Sequence, residues 1–148
     1  VPAAPADLSL DYRWSAGSMP PPHHYAVRIR LDADGAEVAL RPGYAGADTP
    51  TWTVPLTPTA FDRETLVTAL REAGLFEADW TPRRPRHIGG SGWTLRVTAE
   101  GRSVSVPRDA VAEAGDPAAV ETAVRALVPD AVWADLRARR QAFIAAPG

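Results

Sequence analysis

The sequence predicts an α+β fold, with an antiparallel sheet of about six strands and three helices packed on it. Three observations lead there. Several short stretches alternate apolar and polar residues with the two-residue period of half-buried strands. Short links rich in glycine, proline and aspartate join them, which favours antiparallel neighbours. Three longer stretches place apolar residues at helical spacing between capping signals. At 148 residues with 45% hydrophobic and 23% charged residues, the chain fits one globular domain over 1–148. Residues 1–7, rich in proline and alanine, read as a flexible lead-in.

The first strand is marked by Leu8, Leu10, Tyr12 and Trp14 alternating with Ser9, Asp11 and Arg13. After a loop holding Pro20-Pro21-Pro22, a second strand places Tyr25, Val27, Ile29 and Leu31 inward and Arg28 and Arg30 outward. Asp32-Ala33-Asp34-Gly35 is a hairpin turn, and Val38 and Leu40 carry the return strand. Trp52, Val54 and Leu56 make a fourth strand, which Pro55 assigns to an edge. These four strands form an antiparallel meander.

The first helix is expected to start at Asp62 as N-cap, with Phe61 and Leu66 as a hydrophobic staple. Leu66, Val67, Leu70 and Ala73 form its buried stripe, and Gly74-Leu75 fits a Schellman ending. Phe76 and Trp80 pin the exit, and Thr81–Ile88 is a basic loop broken by proline. The stretch Gly89–Pro107 then reads as a glycine loop feeding a hairpin. Trp93, Leu95 and Val97 face the core, Ala99-Glu100-Gly101 turns, and Val104 and Val106 return. Arg108–Gly115 is an alanine-rich connector with about one helical turn. Asp116-Pro117 caps a second helix carrying Val120, Ala123, Val124 and Leu127. Past Pro129, a third helix places Trp133, Leu136 and Phe143 on one face and Arg137, Arg139 and Arg140 largely on the others.

Composition removes several chemistries. There is no cysteine, hence no disulfide, thiolate zinc site, iron–sulfur cluster or cysteine nucleophile. All 16 basic residues are arginine, and the abundance of alanine and proline beside them points to a GC-rich coding bias. A net charge of −2 gives no global pull toward nucleic acid or anionic membrane, so neither is an expected partner. No apolar run approaches the roughly 20 residues of a membrane-spanning helix. The Val1–Asp7 start has neither the basic nor the apolar region of a signal peptide. Cytoplasmic is the default location, and a secreted form whose leader has been removed is the alternative.

Two segments stand out as ligand-binding candidates. The first is Pro20-Pro21-Pro22-His23-His24-Tyr25. Adjacent strand residues point to opposite faces, so His23 and His24 cannot both address one pocket, and no His-x-x-x-His or EF-hand spacing exists. A packed histidine beside a solvated one is the simpler reading, and no metal or cofactor is assigned. The second is Arg83-Arg84-Pro85-Arg86-His87-Ile88-Gly89-Gly90-Ser91-Gly92. Guanidinium groups beside glycine-loop N–H donors suit phosphate or carboxylate, although the segment is not a P-loop because a strand follows it. The plain alternative is a solvated arginine loop. The five tryptophans read mainly as core, and no catalytic residue is assigned.

The set Tyr12-Arg13-Trp14, Gly17-Ser18-Met19-Pro20-Pro21-Pro22-His23-His24-Tyr25, Tyr44, Trp52 and Gly89-Gly90-Ser91 resembles a group of small uncharacterised bacterial proteins. That group is built on Tyr-x-Trp, Gly-Ser-x-Pro-Pro-Pro-x-His-Tyr and Gly-Gly-Ser segments and has no assigned function. The likeness spans residues 8 to 107. It implies bacterial origin and a compact standalone domain, and points to Ser18–Tyr25 and His87–Gly92 as places for a site. The expected function is a non-enzymatic module that uses these two loops, on one rim of the sheet, to bind a protein or a small anionic ligand. The alternative is a small hydrolase-like enzyme using His23 or His24 with an acidic partner.

Overall fold

The computed structural model describes residues 4–17, 24–44, 46, 49–82 and 91–145. Six strands form one antiparallel sheet: β1 (Ser9–Ser15), β2 (Ala26–Leu31), β3 (Ala36–Arg41), β4 (Trp52–Leu56), β6 (Gly92–Ala99) and β7 (Arg102–Val106). Their spatial order is β4-β3-β2-β1-β6-β7. The first four strands are the expected meander, and the second hairpin adds to the free side of β1. Thus β1 is central, and β4, with Pro55, is an edge as its proline requires.

Alternation sorts every strand into two faces. Leu10, Tyr12, Val27, Ile29, Leu31, Val38, Leu40, Leu95, Val97 and Val106 are buried on one side. The helices α1 (Ala60–Glu72), α2 (Pro117–Arg125) and α3 (Asp130–Ala145) bring Leu66, Val67, Leu70, Val120, Val124 and Leu136 to the same core. The architecture is therefore a single α+β domain with three helices and a six-stranded antiparallel sheet. Trp80 is buried, and Trp14, Trp52, Trp93 and Trp133 are half-buried against this core, so the tryptophans are packing residues.

Helix boundaries follow from capping chemistry. The N-cap of α1 is Thr59 rather than Asp62: the Thr59 hydroxyl accepts from the Asp62 N–H at 3.0 Å, and Asp62 accepts from the Thr59 N–H at 2.8 Å. This reciprocal box moves the start back by three residues. It also leaves Phe61 74% exposed, so no staple with Leu66 forms. The other end is as expected. Leu75 N–H donates to Leu70 and Gly74 N–H to Arg71, both at 3.0 Å, while Gly74 sits at φ +78°, the two bonds of a Schellman motif. A side chain at Gly74 would also run into the Ala114 carbonyl. Asp116 caps α2 by accepting from Ala119 N–H at 3.2 Å, with Pro117 following.

Two further features depart from the sequence expectation. The connector after β7 holds a short strand, β8 (Ala110–Val111), which pairs with β5 (Thr81–Pro82) where a helical turn was expected. Asp7, expected to lie in a loose lead-in, clamps the β6–β7 turn. Its carboxylate accepts from the N–H groups of Glu100 (2.7 Å) and Gly101 (2.8 Å). Both turn residues have positive φ, which aims their N–H groups the same way. These bonds, Gly101's foremost, lower the Asp7 pKa.

Candidate functional site

Of the residues singled out by sequence, His24, Tyr25 and Ser91 can be placed; His23, Arg83, Arg84, Arg86 and His87 lie outside the described residues. His24 is 5% exposed. Its Nδ1 lies 2.5 Å from the Gly17 carbonyl oxygen, which can only accept, so the proton sits on Nδ1. Its ring stacks on Tyr44 with centroids 3.8 Å apart and planes 4° from parallel. Among the described residues no carboxylate bonds His24, and no cluster of three or more His, Asp or Glu is placed to hold a metal ion. His24 thus joins the start of the β1–β2 connection to the segment after β3. Tyr25 is half-buried between Trp14 (4.8 Å) and the Arg140 guanidinium, which lies over its ring at 4.1 Å. Arg140 is therefore not on the solvated side of α3. Ser91 is exposed and borders a small pocket with Trp14, Trp93 and Glu121.

The two loops share one feature that strand order creates. β1 ends, β2 begins, β3 ends and β6 begins at the same end of the sheet, where Arg41, Ala26, Ser15 and Gly92 are successive cross-strand neighbours. The proline–histidine segment leaves and re-enters the sheet there, and the arginine–glycine segment joins the sheet there at Gly92.

The face of the sheet opposite the helices carries the polar half of each alternation. In the first row at the loop-bearing end, Ala26, Ser15 and Gly92 give a low floor. One row further in, Arg28 and Arg13 stand side by side between Ala39 and Thr94. Arg41 rises on one side. On the other, the Arg108 side chain crosses Gly92 so closely that a Cβ there would lie 2.6 Å from the Arg108 Nε. Together with Arg30, these side chains bound a groove of about 570 Å³, within the size range of small-ligand sites. Glu37 is the one acidic side chain among its lining residues.

The arginines are held at set positions. Arg28 forks onto Asp11 (Nε–Oδ1 3.0 Å, Nη2–Oδ2 2.8 Å), Arg13 reaches the same carboxylate at 3.2 Å, and Arg30 meets Glu37 at 3.5 Å. Arg41 donates from Nε to the Gly43 carbonyl at 2.8 Å. The Arg28 fork is the main cause of a lowered Asp11 pKa and in turn raises that of Arg28. Charge is graded along the strands. The loop-bearing end is arginine-rich, whereas the far end adds Asp32 and Asp34 to Asp11 and Glu37, opposite Arg30 and Arg96.

Sequence reasoning placed Arg28 and Arg30 outward but did not assemble this groove. The outward arginines are visible as alternation, whereas Gly92 reads as the end of the glycine loop and only the structure makes it an outward strand position. Their convergence depends on β3-β2-β1-β6 adjacency, which no local pattern encodes.

On the helix side, a second cluster ties α2 to β1. Tyr12 donates to Glu121 at 2.6 Å and accepts from Arg125 Nε at 3.0 Å, and the Arg125 guanidinium lies within 6 Å of the Tyr12, Trp14 and Trp133 rings. Burial first, then the bond to Glu121, pushes the Tyr12 pKa well above its ordinary value. This is a packed polar network joining sheet to helix.

No family model matches the chain, and no curated protein matches it in sequence.

Proposed function

We propose that this protein is a non-enzymatic binding module that holds a small anionic ligand on the open face of its sheet, at the end where the proline–histidine and arginine–glycine segments join it. The observation that carries this reading is the groove itself. Five arginines and one carboxylate line a concavity on a chain whose net charge is −2. Guanidinium forks match carboxylate and phosphate oxygens in bidentate geometry. Pairing to Asp11 and Glu37 holds three of those forks in place, and preorganisation lowers the ordering cost of binding.

Other features favour a small anion over other partners. Among the described residues, the outward positions of the six strands carry no aromatic ring for a nucleic-acid base to stack on. No helix among the described residues is long and apolar enough to cross a membrane. The hydrolase alternative draws no support from His24, whose partners are a carbonyl and a tyrosine ring.

The test is thermal unfolding with phosphate, diphosphate, sulfate and citrate at low millimolar concentration, where general salt exclusion is small. A ligand at a hundred times its Kd adds about 2.7 kcal/mol and raises Tm by about 5–10 °C in a domain of this size. The Arg13→Gln/Arg28→Gln double variant should lose that rise. If every anion leaves the wild-type Tm unmoved, the reading is wrong.

A further inference from the structure

We infer that two copies of this chain join edge to edge through β7, pairing antiparallel about Val104.

The sheet has two edges, and they are built differently. β4 carries Pro55, which has no N–H to offer a new neighbour. β7, Arg102-Ser103-Val104-Ser105-Val106, has none of the usual guards. Its register with β6 runs without a bulge from Ala99–Arg102 to Leu95–Val106. No proline interrupts it, and its one charge, Arg102, stands at its first position. Edges of this kind recruit a further strand unless something blocks them.

The turn decides which backbone groups are free. Glu100 and Gly101 both have positive φ, the signature of a two-residue type I′ turn, and the residues flanking such a turn exchange hydrogen bonds. Ala99 and Arg102 are therefore a bonded pair, and alternation makes bonded pairs of Val97–Val104 and Leu95–Val106. The N–H and C=O groups of Ser103 and Ser105 then point away from β6. Both residues are exposed. Among the described residues, no strand lies beyond β7 and no loop backbone bonds to either serine.

This pattern fits itself. An antiparallel copy centred on Val104 aligns the whole of β7. Ser103 meets Ser105 of the second copy, and each such pair exchanges both of its backbone bonds. Val104 meets its own counterpart in the non-bonded position, where side chains lie closest. Val104 is half-buried against the core, so this contact extends an apolar surface already in place. Charge agrees with it. Arg102 falls opposite Val106 of the second copy, so the two-fold axis brings no like charges together. The interface is isologous and closes on itself. The open face of the sheet stays uncovered, which makes the association independent of anion binding.

Such short strands bury little area, so the dimer belongs to the weak class. Sedimentation of the full chain from ~10 μM to ~1 mM, which spans weak association, should show the mass rising from one chain toward two. Ser105→Pro removes an outward N–H that makes no internal bond, and should leave a folded monomer at every concentration. Ser103→Glu/Ser105→Glu sets like charges opposite each other and should also give a monomer. Ser103→Lys/Ser105→Glu sets opposite charges there and should tighten association severalfold. Thr53→Glu, on the β4 edge, should leave association unchanged. Because the chain has no cysteine, one introduced thiol reads the register directly. Cα atoms about 4.5 Å apart at the axis lie within disulfide range, so Val104→Cys should oxidise to a covalent dimer. Ser103→Cys, whose two copies lie ~8 Å apart, should not.

A wild-type chain still monomeric at the highest concentration would overturn the inference. A dimer that survives Ser105→Pro would overturn it in favour of another face, and equal cross-linking at positions 103 and 104 would overturn the register. Amide exchange on the wild type covers the case of a variant that fails to fold. The Ser103 and Ser105 amides should exchange more slowly as concentration rises, and exchange that ignores concentration would sink the pairing. None of these outcomes bears on the anion-binding reading.

Discussion

The two faces of the sheet are built from the same residues in alternation yet are held by different physics. On the helix side, Ile29 has no exposed surface and contacts a continuous core. On the open side its neighbours Arg28 and Arg30 are partly or largely exposed and held by Asp11 and Glu37. Burial makes the first face costly to change, whereas screened ion pairs make the second cheap to change. One strand can therefore carry folding on its odd residues and recognition on its even ones.

The sharpest way to break this comparison is to mutate adjacent residues on β2. Ile29→Ala should cost about 2–5 kcal/mol in urea unfolding, as a buried large-to-small change does. It should leave anion affinity nearly unchanged where the chain remains folded. Arg28→Gln should cost about 1 kcal/mol or less, since its fork is at the surface, and should weaken anion binding. Equal effects of the two variants on binding would show that the faces are not separable.

Tyr12 tests where the helix face stops being purely apolar. Its hydroxyl joins Glu121 and Arg125, so Tyr12→Phe should cost about 1.5–3 kcal/mol, the range for hydrogen bonds to charged groups. The pH dependence has a definite sign. The folded pKa lies above the unfolded value of 10.0, so the folded state holds the proton more tightly. Stability is then fully present below pH 10 and falls as pH rises beyond it. The Phe variant should show a flatter alkaline limb in the same titration.

The same contrast explains what was legible in the sequence. Residues whose partners are near in sequence or set by alternation were readable. The Schellman ending at Gly74-Leu75, the Asp32–Gly35 turn, the Asp116-Pro117 cap and the inward stripe of each strand all belong to this class. Thr59 and Asp62 exposed the limit of local reading. Both are capping residue types, and only the reciprocal bonds decide which is the cap. Ala110–Val111 was missed as a strand because two residues carry no period and their pairing with Thr81–Pro82 is nonlocal. Asp7 and Arg140 were misplaced for the same reason, since the turn at Glu100 and the ring of Tyr25 lie far from them along the chain. The candidate site is the extreme case. Each arginine was in plain view, but their convergence depends on the order β3-β2-β1-β6 and on the bare position at Gly92.

The smallest stability effect gives the finest discrimination between the faces. Asp11 is the carboxylate that competes with any ligand for Arg13 and Arg28. Asp11→Asn should cost at most about 1 kcal/mol, because the pair is substantially exposed and screened. Binding should move the opposite way: two guanidinium groups lose an internal partner, and diphosphate affinity should rise severalfold at low salt, with a steeper salt dependence. The pH profile follows from the lowered Asp11 pKa. Its contribution to stability is present above the ordinary value of 3.8 and is lost as pH falls through the folded-state value. A diphosphate affinity that falls in Asp11→Asn would mean that Asp11 acts chiefly by aiming the two arginines, and that their orientation outweighs their charge.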